Sequence, residues 1–313
     1  MSAVDVTCFG ELLWDFFEEE KGACRRELGG ASANVAVALA RVGVKAAAAG
    51  GVGDDRMGKA LAAQLEAEKV DVSGVSFVKG ARTGLTFVSR EANGEASFVP
   101  YRNGTADLVA EAKTAAAKAK WLVVSSTSMA PAARAATEKM LAAATKAKTG
   151  IVFDLNARGH LWNDDDALRE ACAALAGQAT IVKASLRDLS AVAGKRGMSW
   201  LEEHAKGATW VLTRGDNGAA AVGPHGQATA PTKRVRCIDT TGAGDAFLAG
   251  VLAVIVRAGA KPGSAGFADP KLWTRALEVG HLLGAKAVSA VGATTGLVVL
   301  DEAKARIGAA KKA

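Results

Sequence analysis

Short β-rich runs alternate with helical patterns from residue 121 onward, and this alternation constrains the fold more than any other feature of the sequence. The β-rich runs are 121–125, 151–154, 180–183 and 210–213, and the helical patterns are 132–146, 167–175 and 199–205. Such alternation predicts a parallel sheet with helices on both faces. We therefore predict an α/β fold with a doubly wound, mainly parallel sheet that binds ligands at the carboxyl ends of its strands.

A glycine-rich turn leads directly into a helical pattern at 238–252, which reads IDTTGAGDAFLAGVL. The first N–H groups of a helix lack internal partners and carry partial positive charge, so this turn is suited to an anion such as a phosphate. Gly242 and Gly244 allow the backbone to approach that anion closely. Asp245 follows at once, and it is suited to accept a proton from a hydroxyl that attacks the phosphate. For the four residues GAGD alone, a tight turn with a capping aspartate is the alternative.

The longer string DTTGAGDAF resembles the C-terminal signature of the ribokinase-like (PfkB) carbohydrate kinase family. The string GGASANVAVALARVG at 29–43 resembles the N-terminal signature of the same family. The opening GELLWDF and the segment YRNGTAD resemble the fructokinase-like branch, whereas the segment DLNARGHLW resembles one found in both fructokinases and 2-keto-3-deoxygluconate kinases. The resemblance implies a single ribokinase-like kinase domain over residues 1–313, with lid strands inserted at about 13–28 and 83–102.

Two half-exposed strand patterns, 82–88 and 96–101, flank Asn93-Gly94, a dipeptide typical of a hairpin turn. With strand material at 13–28 they predict a small sheet outside the main domain. In the family this sheet is a lid that keeps water from competing with the sugar for the phosphoryl group. Its exposed strand edges predict a homodimer that pairs through the lid.

The resemblance also implies roles for individual residues. The sugar is expected to contact Asp15, Gly29, Gly30, Asn34, Arg102 and Asn156, whose carboxylate, amide and guanidinium groups suit hydroxyl groups. Catalysis is expected from Asp245 as the base, from the N–H groups of Gly242, Ala243 and Gly244, and from Arg158, whose charge stabilises the transferring phosphate. ATP is expected to contact Lys183, Ser185, Thr213, Gly215, Gly242, Gly244 and His281.

Two cations are implied beside ATP. Asp239 and Thr241 match positions that hold a monovalent cation in family members, and their oxygens suit K⁺. The family's NxxE motif, which organises Mg²⁺ through water, falls at 185–188, where this chain reads SLRD. Because Asp188 keeps the carboxylate and Ser185 keeps a polar oxygen, we expect Mg²⁺ to be organised at Asp188.

The composition and charge of the chain exclude several functional classes. Four cysteines without CxxC spacing and four histidines predict no zinc cluster and indicate a cytoplasmic protein. We see no signal peptide and no apolar run long enough for a membrane span. The net charge of +7 comes from dispersed lysines, so we expect ATP and not nucleic acid as the anionic partner.

The segment GGVGDDRMGKAL at 50–61 contains the beginning of a P-loop, but Ala60 stands where Mg²⁺ ligation requires Ser or Thr. We interpret it as a glycine-rich turn that brings Asp54 or Asp55 near the substrate. The absence of a GxGxxG motif after the first strand argues against a dehydrogenase.

We interpret the chain as an ATP-dependent kinase that transfers the γ-phosphate to a primary hydroxyl of a small sugar, with fructose as the first candidate. The alternatives 2-keto-3-deoxygluconate, ribose and a nucleoside remain open on the same fold. A sugar acid requires a cationic partner in the lid, and Arg102 is one candidate, so the sequence does not separate neutral from acidic sugars. A catalytically inactive sugar- or nucleotide-binding regulator, based on the SLRD replacement, is the alternative from another class.

Overall fold

The computed structural model describes residues 4–90, 96–162, 164–224, 226–298 and 300–309. Within these ranges nine strands form the main sheet, in the spatial order β13-β12-β11-β10-β9-β8-β1-β4-β5. They are β1 (Val6–Phe9), β4 (Ala46–Gly53), β5 (Asp71–Val78), β8 (Trp121–Ser125), β9 (Gly150–Asp154), β10 (Ile181–Ser185), β11 (Thr209–Thr213), β12 (Ala219–Gly223) and β13 (Gly226–Ala230). All neighbouring strands from β5 to β11 are parallel, whereas β12 and β13 are antiparallel additions at one edge. The predicted α/β fold with a mainly parallel sheet is thus confirmed.

The helices cover both faces of this sheet. They are α1 (Ala31–Arg41), α2 (Arg56–Ala67), α3 (Ala106–Val109), α4 (Arg134–Ala147), α5 (Asp165–Ala176), α6 (Leu186–Ala193), α7 (Met198–His204), α8 (Ala243–Arg257), α9 (Pro270–Ala287) and α10 (Asp301–Ala309). Alternate residues of a strand point to opposite faces. In β8, Trp121 and Val123 accordingly join the core formed with α1, α8 and α9, while Leu122 and Val124 join the core formed with α4, α5 and α7. Burial on both faces is what makes these strands read as continuous apolar runs.

A separate four-stranded sheet has the order β3-β2-β6-β7. Its strands are β2 (Leu13–Glu18), β3 (Cys24–Gly29), β6 (Gly84–Arg90) and β7 (Ala96–Tyr101). The central pair, β2 and β6, is parallel, and the outer pairs are antiparallel. The predicted Asn93-Gly94 turn between β6 and β7 lies outside the described residues. The small separate sheet is present, as predicted.

Helices α8 and α9 pack closely because two glycines face each other. A Cβ atom on Gly250 would lie 2.8 Å from both the Cα of Gly280 and the carbonyl oxygen of Val279. Backbone atoms of this kind do not move aside as the end of a flexible side chain does. The contact fixes α8, which carries the glycine-rich turn at its N-terminus.

We predict that Gly250→Ala lowers the free energy of unfolding by about 1 to 3 kcal/mol, because the added methyl group overpacks the helix contact. Denaturant unfolding of the purified variant measures this change. The matched control is Gly308→Ala in α10, where a Cβ atom meets nothing within 4 Å. This control is expected to keep or raise stability, by up to about 1 kcal/mol, because alanine favours helix. A Gly250→Ala variant as stable as the wild type would contradict the packing described here.

Candidate active site

A cavity opens between the small sheet and the carboxyl-terminal edge of the main sheet, with about 570 Å³ of empty space including its solvent-open part. Nine predicted site residues line it: Asp15, Gly30, Asn34, Arg102, Asn156, Arg158, Thr241, Gly242 and Asp245. The remaining lining residues are Glu11, Leu13, Ala31, Thr86, Phe98 and Pro100. The lining comes from the small sheet, from loops that include those after β1 and β9 of the main sheet, and from the starts of α1 and α8. Segments far apart in the chain therefore meet at one site.

The carboxylate of Asp245 is oriented by a side chain on another helix. Nδ2 of Asn34 donates a hydrogen bond of 2.9 Å to Oδ2 of Asp245. Burial raises the pKa of Asp245 above its ordinary value, while the Asn34 hydrogen bond and the charges of Lys183 and Arg158 act in the opposite direction. Oδ1 of Asn34 is buried without a hydrogen-bond partner among the described groups. The Asp245 carboxylate thus lines the cavity with its orientation set by the Asn34 amide group.

The turn before α8 has the geometry of an anion cradle. Gly242 adopts a left-handed conformation with φ of 73°, and a Cβ atom there would lie 2.5 Å from the Cβ of Ala293. Only glycine meets both conditions at this position. The N–H of Ala243 donates to the carbonyl of Thr240 at 3.3 Å. The N–H groups of Gly242 and Gly244, in contrast, donate to no other group in the described part of the chain, which leaves them available for an anion.

Asp239 holds this turn in place. It is fully buried, and its Oδ1 accepts hydrogen bonds from the N–H and hydroxyl groups of Thr241 at 2.9 and 2.7 Å. Its Oδ2 accepts a hydrogen bond from the N–H of Gly292 at 2.8 Å. Of the pair predicted to hold K⁺, Thr241 lines the cavity, whereas Asp239 joins two loops behind it.

Asp15 lies on β2 in the small sheet, where its carboxylate is buried and lines the cavity. Burial, followed by the nearby charges of Glu11 and Asp245, raises its pKa well above the ordinary range, and Arg102 opposes this shift. A Cβ atom on Gly29 would lie 2.4 Å from the Cγ of Asp15. Gly29 therefore contributes to the site by leaving space for the Asp15 side chain, since it does not itself line the cavity.

Arg102 lines the cavity, but its guanidinium group is already paired. Nη1 lies 2.6 Å from Oε2 of Glu11, and Nε donates to Oδ2 of Asp107 at 2.8 Å. Burial disfavours the charged guanidinium, but the two carboxylates outweigh this cost and raise the pKa of Arg102. Glu11 and Asp107 are absent from the predicted site residues. Asp107 is five residues from Arg102, and this separation predicts an ion pair only when the conformation of the intervening turn is known.

Lys183 lies beneath the glycine-rich turn. Its Nζ is 3.0 and 3.1 Å from the two carboxylate oxygens of Asp154, and both side chains are buried. A Cβ atom on Gly244 would lie 2.8 Å from this Nζ. Burial disfavours the charged ammonium group, but Asp154, followed by Asp188 and Asp245, raises the pKa of Lys183. A charged lysine thus lies next to the cradle, held by an aspartate that the sequence analysis did not assign.

The SLRD segment forms the beginning of α6. The Ser185 hydroxyl oxygen accepts the N–H of Asp188, and Oδ2 of Asp188 accepts the N–H of Ser185, which is a capping box. Oδ1 of Asp188 accepts the N–H of Ala157 at 3.0 Å. The carboxylate therefore holds the segment that carries Asn156 and Arg158, and it does not line the cavity. Its role toward Mg²⁺ stays a prediction.

The other residues predicted to contact ATP lie apart from this cavity. Thr213 ends β11 beside Ser185 of β10, and Gly215 follows in the next turn with φ of 53°. His281 lies on α9, where its Nε2 is 3.2 Å from the carbonyl oxygen of Ala230 and its ring meets the edge of Phe247 at 5.2 Å. Burial lowers the pKa of His281, which favours the neutral imidazole.

His281 lines a second cavity of about 1370 Å³, again including solvent-open space, between α9 and the segment 231–236. The structure thus separates His281 from the residues around Asp245.

Asp55 and Asp54 do not line the cavity around Asp245. Asp55 is the N-cap of α2, where its Oδ1 accepts the N–H of Gly58 at 2.7 Å. Its other oxygen accepts the N–H of Thr83 at 2.9 Å. The carboxylate that we expected near the substrate therefore fixes the start of a helix and the entry to the small sheet.

Two features of the described residues bear on other functional classes. No group of three or more His, Cys, Asp or Glu side chains in those ranges is arranged to hold a metal ion. Over the same ranges, no helix combines the length and apolar character needed to span a membrane.

Comparison with known proteins agrees with this geometry. Residues 4–299 match the family model described as pfkB family carbohydrate kinase. Fructokinase-1 of Oryza sativa subsp. japonica is 34% identical over 311 residues, with 93% of this chain and 94% of that protein covered.

Two solved structures have the same fold over nearly their whole length. A fructokinase from Vibrio cholerae O395, crystallised with fructose, ADP and a calcium ion, superposes with a TM-score of 0.85 at 27% identity and covers 98% of this chain and 100% of that chain. Aminoimidazole riboside kinase from Salmonella enterica, crystallised with aminoimidazole riboside and an ATP analogue, gives a TM-score of 0.83 at 28% identity, with 97% and 99% covered. Because the family model matches residues 4–299 and a fructokinase is 34% identical over 311 residues, this chain belongs to the pfkB family of carbohydrate kinases, which are phosphotransferases.

Proposed function

We propose that this protein is a fructokinase that transfers the γ-phosphate of ATP to a primary hydroxyl of fructose. The observation that carries the proposal is the arrangement of Asp245, its hydrogen-bond partner Asn34 and the free N–H groups of the glycine-rich turn around one cavity. The names of the relatives from Oryza and Vibrio support fructose over the other sugars. The Salmonella relative, named for a riboside, keeps a nucleoside as the rival substrate.

Asp245 acts as the general base in this mechanism. Its carboxylate accepts the proton of the sugar hydroxyl as that oxygen attacks the γ-phosphate. Asn34 fixes the carboxylate through Nδ2. Asp15, buried on the small sheet, accepts further hydroxyl donors. The sugar is thereby oriented with one hydroxyl at Asp245.

The developing negative charge on the phosphate meets three fixed sources of positive potential. The N–H groups of Gly242 and Gly244 point from the start of α8, and the ammonium group of Lys183 lies beneath them. Arg158 lines the cavity on the other side, with its Cζ 5.8 Å from the centre of the Phe98 ring. Because these groups are held before ATP arrives, little reorganisation is needed during transfer.

Two ions accompany ATP in this proposal. Asp188 is the candidate that would organise Mg²⁺ through water, and the ion would supply positive charge to the phosphates of bound ATP. Asp239 and Thr241 are the candidates for K⁺, since Asp239 already joins the two loops that meet at the cradle. In the structure Asp188 and Asp239 both accept hydrogen bonds from backbone N–H groups. A K⁺ ion at Asp239 would therefore reinforce the turn that this carboxylate already holds.

We further propose that the second cavity receives the nucleotide base. It is lined by the apolar side chains of Val235, Leu282 and Ala285, and by a neutral His281, a combination suited to a flat aromatic ring with polar edges. Thr213 and Gly215 are then expected to lie along the path from the base to the phosphates.

We also propose one kinase domain across residues 1–313, in which the small sheet is the lid and pairs with a second copy. Its outer face exposes apolar side chains: Phe87 is 41% exposed and Tyr101 is 59% exposed. Phe87 contacts Phe16 and Tyr101 with ring centroids 5.6 Å apart in both pairs. An exposed aromatic cluster beside open strand edges favours pairing between copies.

The four free cysteines support a reducing compartment such as the cytoplasm.

The proposed function predicts that the wild type phosphorylates fructose with a higher kcat/KM than ribose, a nucleoside or 2-keto-3-deoxygluconate. Coupled detection of ADP with each sugar measures this.

Asp245→Asn is expected to lower kcat for fructose by about 10²- to 10⁴-fold, because the base is lost, while ATP binding is retained. Asp166→Asn, at a side chain that is 86% exposed, is the control and keeps the wild-type kcat. Near-normal turnover by Asp245→Asn would contradict the assignment of the base.

The hydrogen bond from Asn34 predicts a shift in the pH dependence of turnover. Asp245 is active when deprotonated, so kcat falls as the pH drops through its pKa. The Asn34 hydrogen bond lowers that pKa, so Asn34→Ala raises it and moves the acidic limb of the kcat profile to higher pH. The measurement uses saturating fructose, so that weaker sugar binding does not distort the profile. An unmoved limb, or a shift to lower pH, would show that Asn34 does not act on the base.

The dimer proposal predicts that the wild type sediments as a dimer at micromolar concentration. Phe87→Glu places a charge in the aromatic cluster of the small sheet and is expected to give a monomer. Analytical ultracentrifugation compares the two proteins, with Val298→Glu as the control because Val298 is exposed elsewhere on the surface. A monomeric wild type would argue against pairing through the lid.

A further inference from the structure

Every nitrogen of the Arg102 guanidinium group already contacts a carboxylate, and three of its five N–H groups are used in this way. Nη1 pairs with Glu11, while Nε and Nη2 both donate to the same carboxylate oxygen of Asp107. The Arg102 side chain is 6% exposed and that of Asp107 is 0% exposed. A two-point contact of this kind fixes the plane of the guanidinium group as well as its position.

Asp107 reaches the sugar cavity only through Arg102. It does not line that cavity; it lies behind it, in a smaller cavity shared with Glu11 and Arg102. Its second oxygen, Oδ1, accepts a hydrogen bond of 2.6 Å from the Thr105 hydroxyl group. A Cβ atom on Gly84 would lie 2.7 Å from the same oxygen. The carboxylate is therefore held on one side by Thr105 and on the other by Arg102.

The charges of this group disfavour an acidic ligand. The guanidinium group of Arg102 is matched by two acidic side chains, Glu11 and Asp107, and a third acidic side chain, Asp15, lines the same cavity. A sugar carboxylate brought to Arg102 would meet two carboxylates already bound there. The other cation lining the cavity, Arg158, lies near enough to Asp245 to act on it, at the phosphate end of the site. A neutral sugar meets no such repulsion.

We propose that Asp107 is a specificity-determining residue: by pairing with Arg102 from behind, it withholds this cation from a carboxylate and restricts the site to neutral sugars. The proposal rests on the proposed sugar kinase function and adds to it the class of acceptor that is excluded. Asp107 is a positioning residue, because it acts through Arg102 and touches no ligand itself. Its replacement is therefore expected to change the choice of substrate more than the rate of transfer.

Asp107→Asn tests the proposal, since asparagine keeps the size of the side chain and can still accept from Arg102 and donate to Thr105. Steady-state kinetics with fructose and with 2-keto-3-deoxygluconate give the ratio of kcat/KM for the acid to that for fructose. We expect this ratio to rise about tenfold or more, through a lower KM for the acid, because one negative charge near the carboxylate is removed. The KM for ATP is expected to stay constant. Asp107→Glu, which keeps the charge, is expected to keep the wild-type ratio.

A second variant covers the case in which Asp107→Asn does not fold. Glu11→Gln removes the other carboxylate on Arg102, while its amide oxygen can still accept the N–H of Ala31. It is expected to raise the same ratio. Equilibrium binding of both sugars without ATP is measured in parallel for each protein.

The outcomes separate this proposal from the proposed function. If the wild type prefers fructose and neither variant changes the ratio of kcat/KM for the acid to that for fructose, the role of Asp107 is overturned. The kinase proposal then still stands. A wild type that prefers the acid would overturn both. If no sugar is phosphorylated, the proposed function fails, and the binding ratios then decide whether Asp107 excludes acids. Equal losses for both sugars would indicate a merely structural role and would also overturn the proposal.

Discussion

A single buried carboxylate, Asp239, holds the turn on which the candidate active site depends. Its three hydrogen bonds to Thr241 and Gly292 tie the turn before α8 to the segment after α9. Gly242 can then adopt its left-handed conformation against Ala293, and the N–H groups of Gly242 and Gly244 stay without a partner in the described part of the chain. Because α8 is buried from Ala246 to Ile255, the position of the cradle is set by the core and not by a mobile loop.

The site has two ends of opposite electrostatic character. At the end proposed for the phosphates, Lys183, Arg158 and the N–H groups of the turn supply positive potential for an anion. At the end proposed for the sugar, Arg102 is paired with two acidic side chains. Asp245 and Asn34 lie between the two ends. This distribution matches the transfer of a phosphoryl group from a highly charged nucleotide to a hydroxyl group of a neutral compound.

The sequence predicts the fold well because strands buried on both faces are apolar throughout, and β8 to β11 lie within about two residues of their predicted bounds. It misses β4, β12 and β13, whose alanine- and glycine-rich segments lack a β-strand signature, and it also misses β5 and the helices α2, α6 and α10. Nine of the site residues that the recognised motifs single out line one cavity. The sequence cannot show that Arg102 pairs with Glu11, because ion pairs between distant segments depend on packing that one sequence does not reveal.

The central claim is that the N–H groups at the start of α8 bind the phosphate to be transferred while Asp245 contacts the sugar hydroxyl. A crystal structure with fructose and a non-hydrolysable ATP analogue tests it most directly. We predict the terminal phosphate within hydrogen-bond distance of the N–H groups of Gly242 and Gly244, and a primary hydroxyl of fructose on the Asp245 carboxylate. A terminal phosphate bound elsewhere, or an Asp245 carboxylate that contacts neither ligand, would contradict the account.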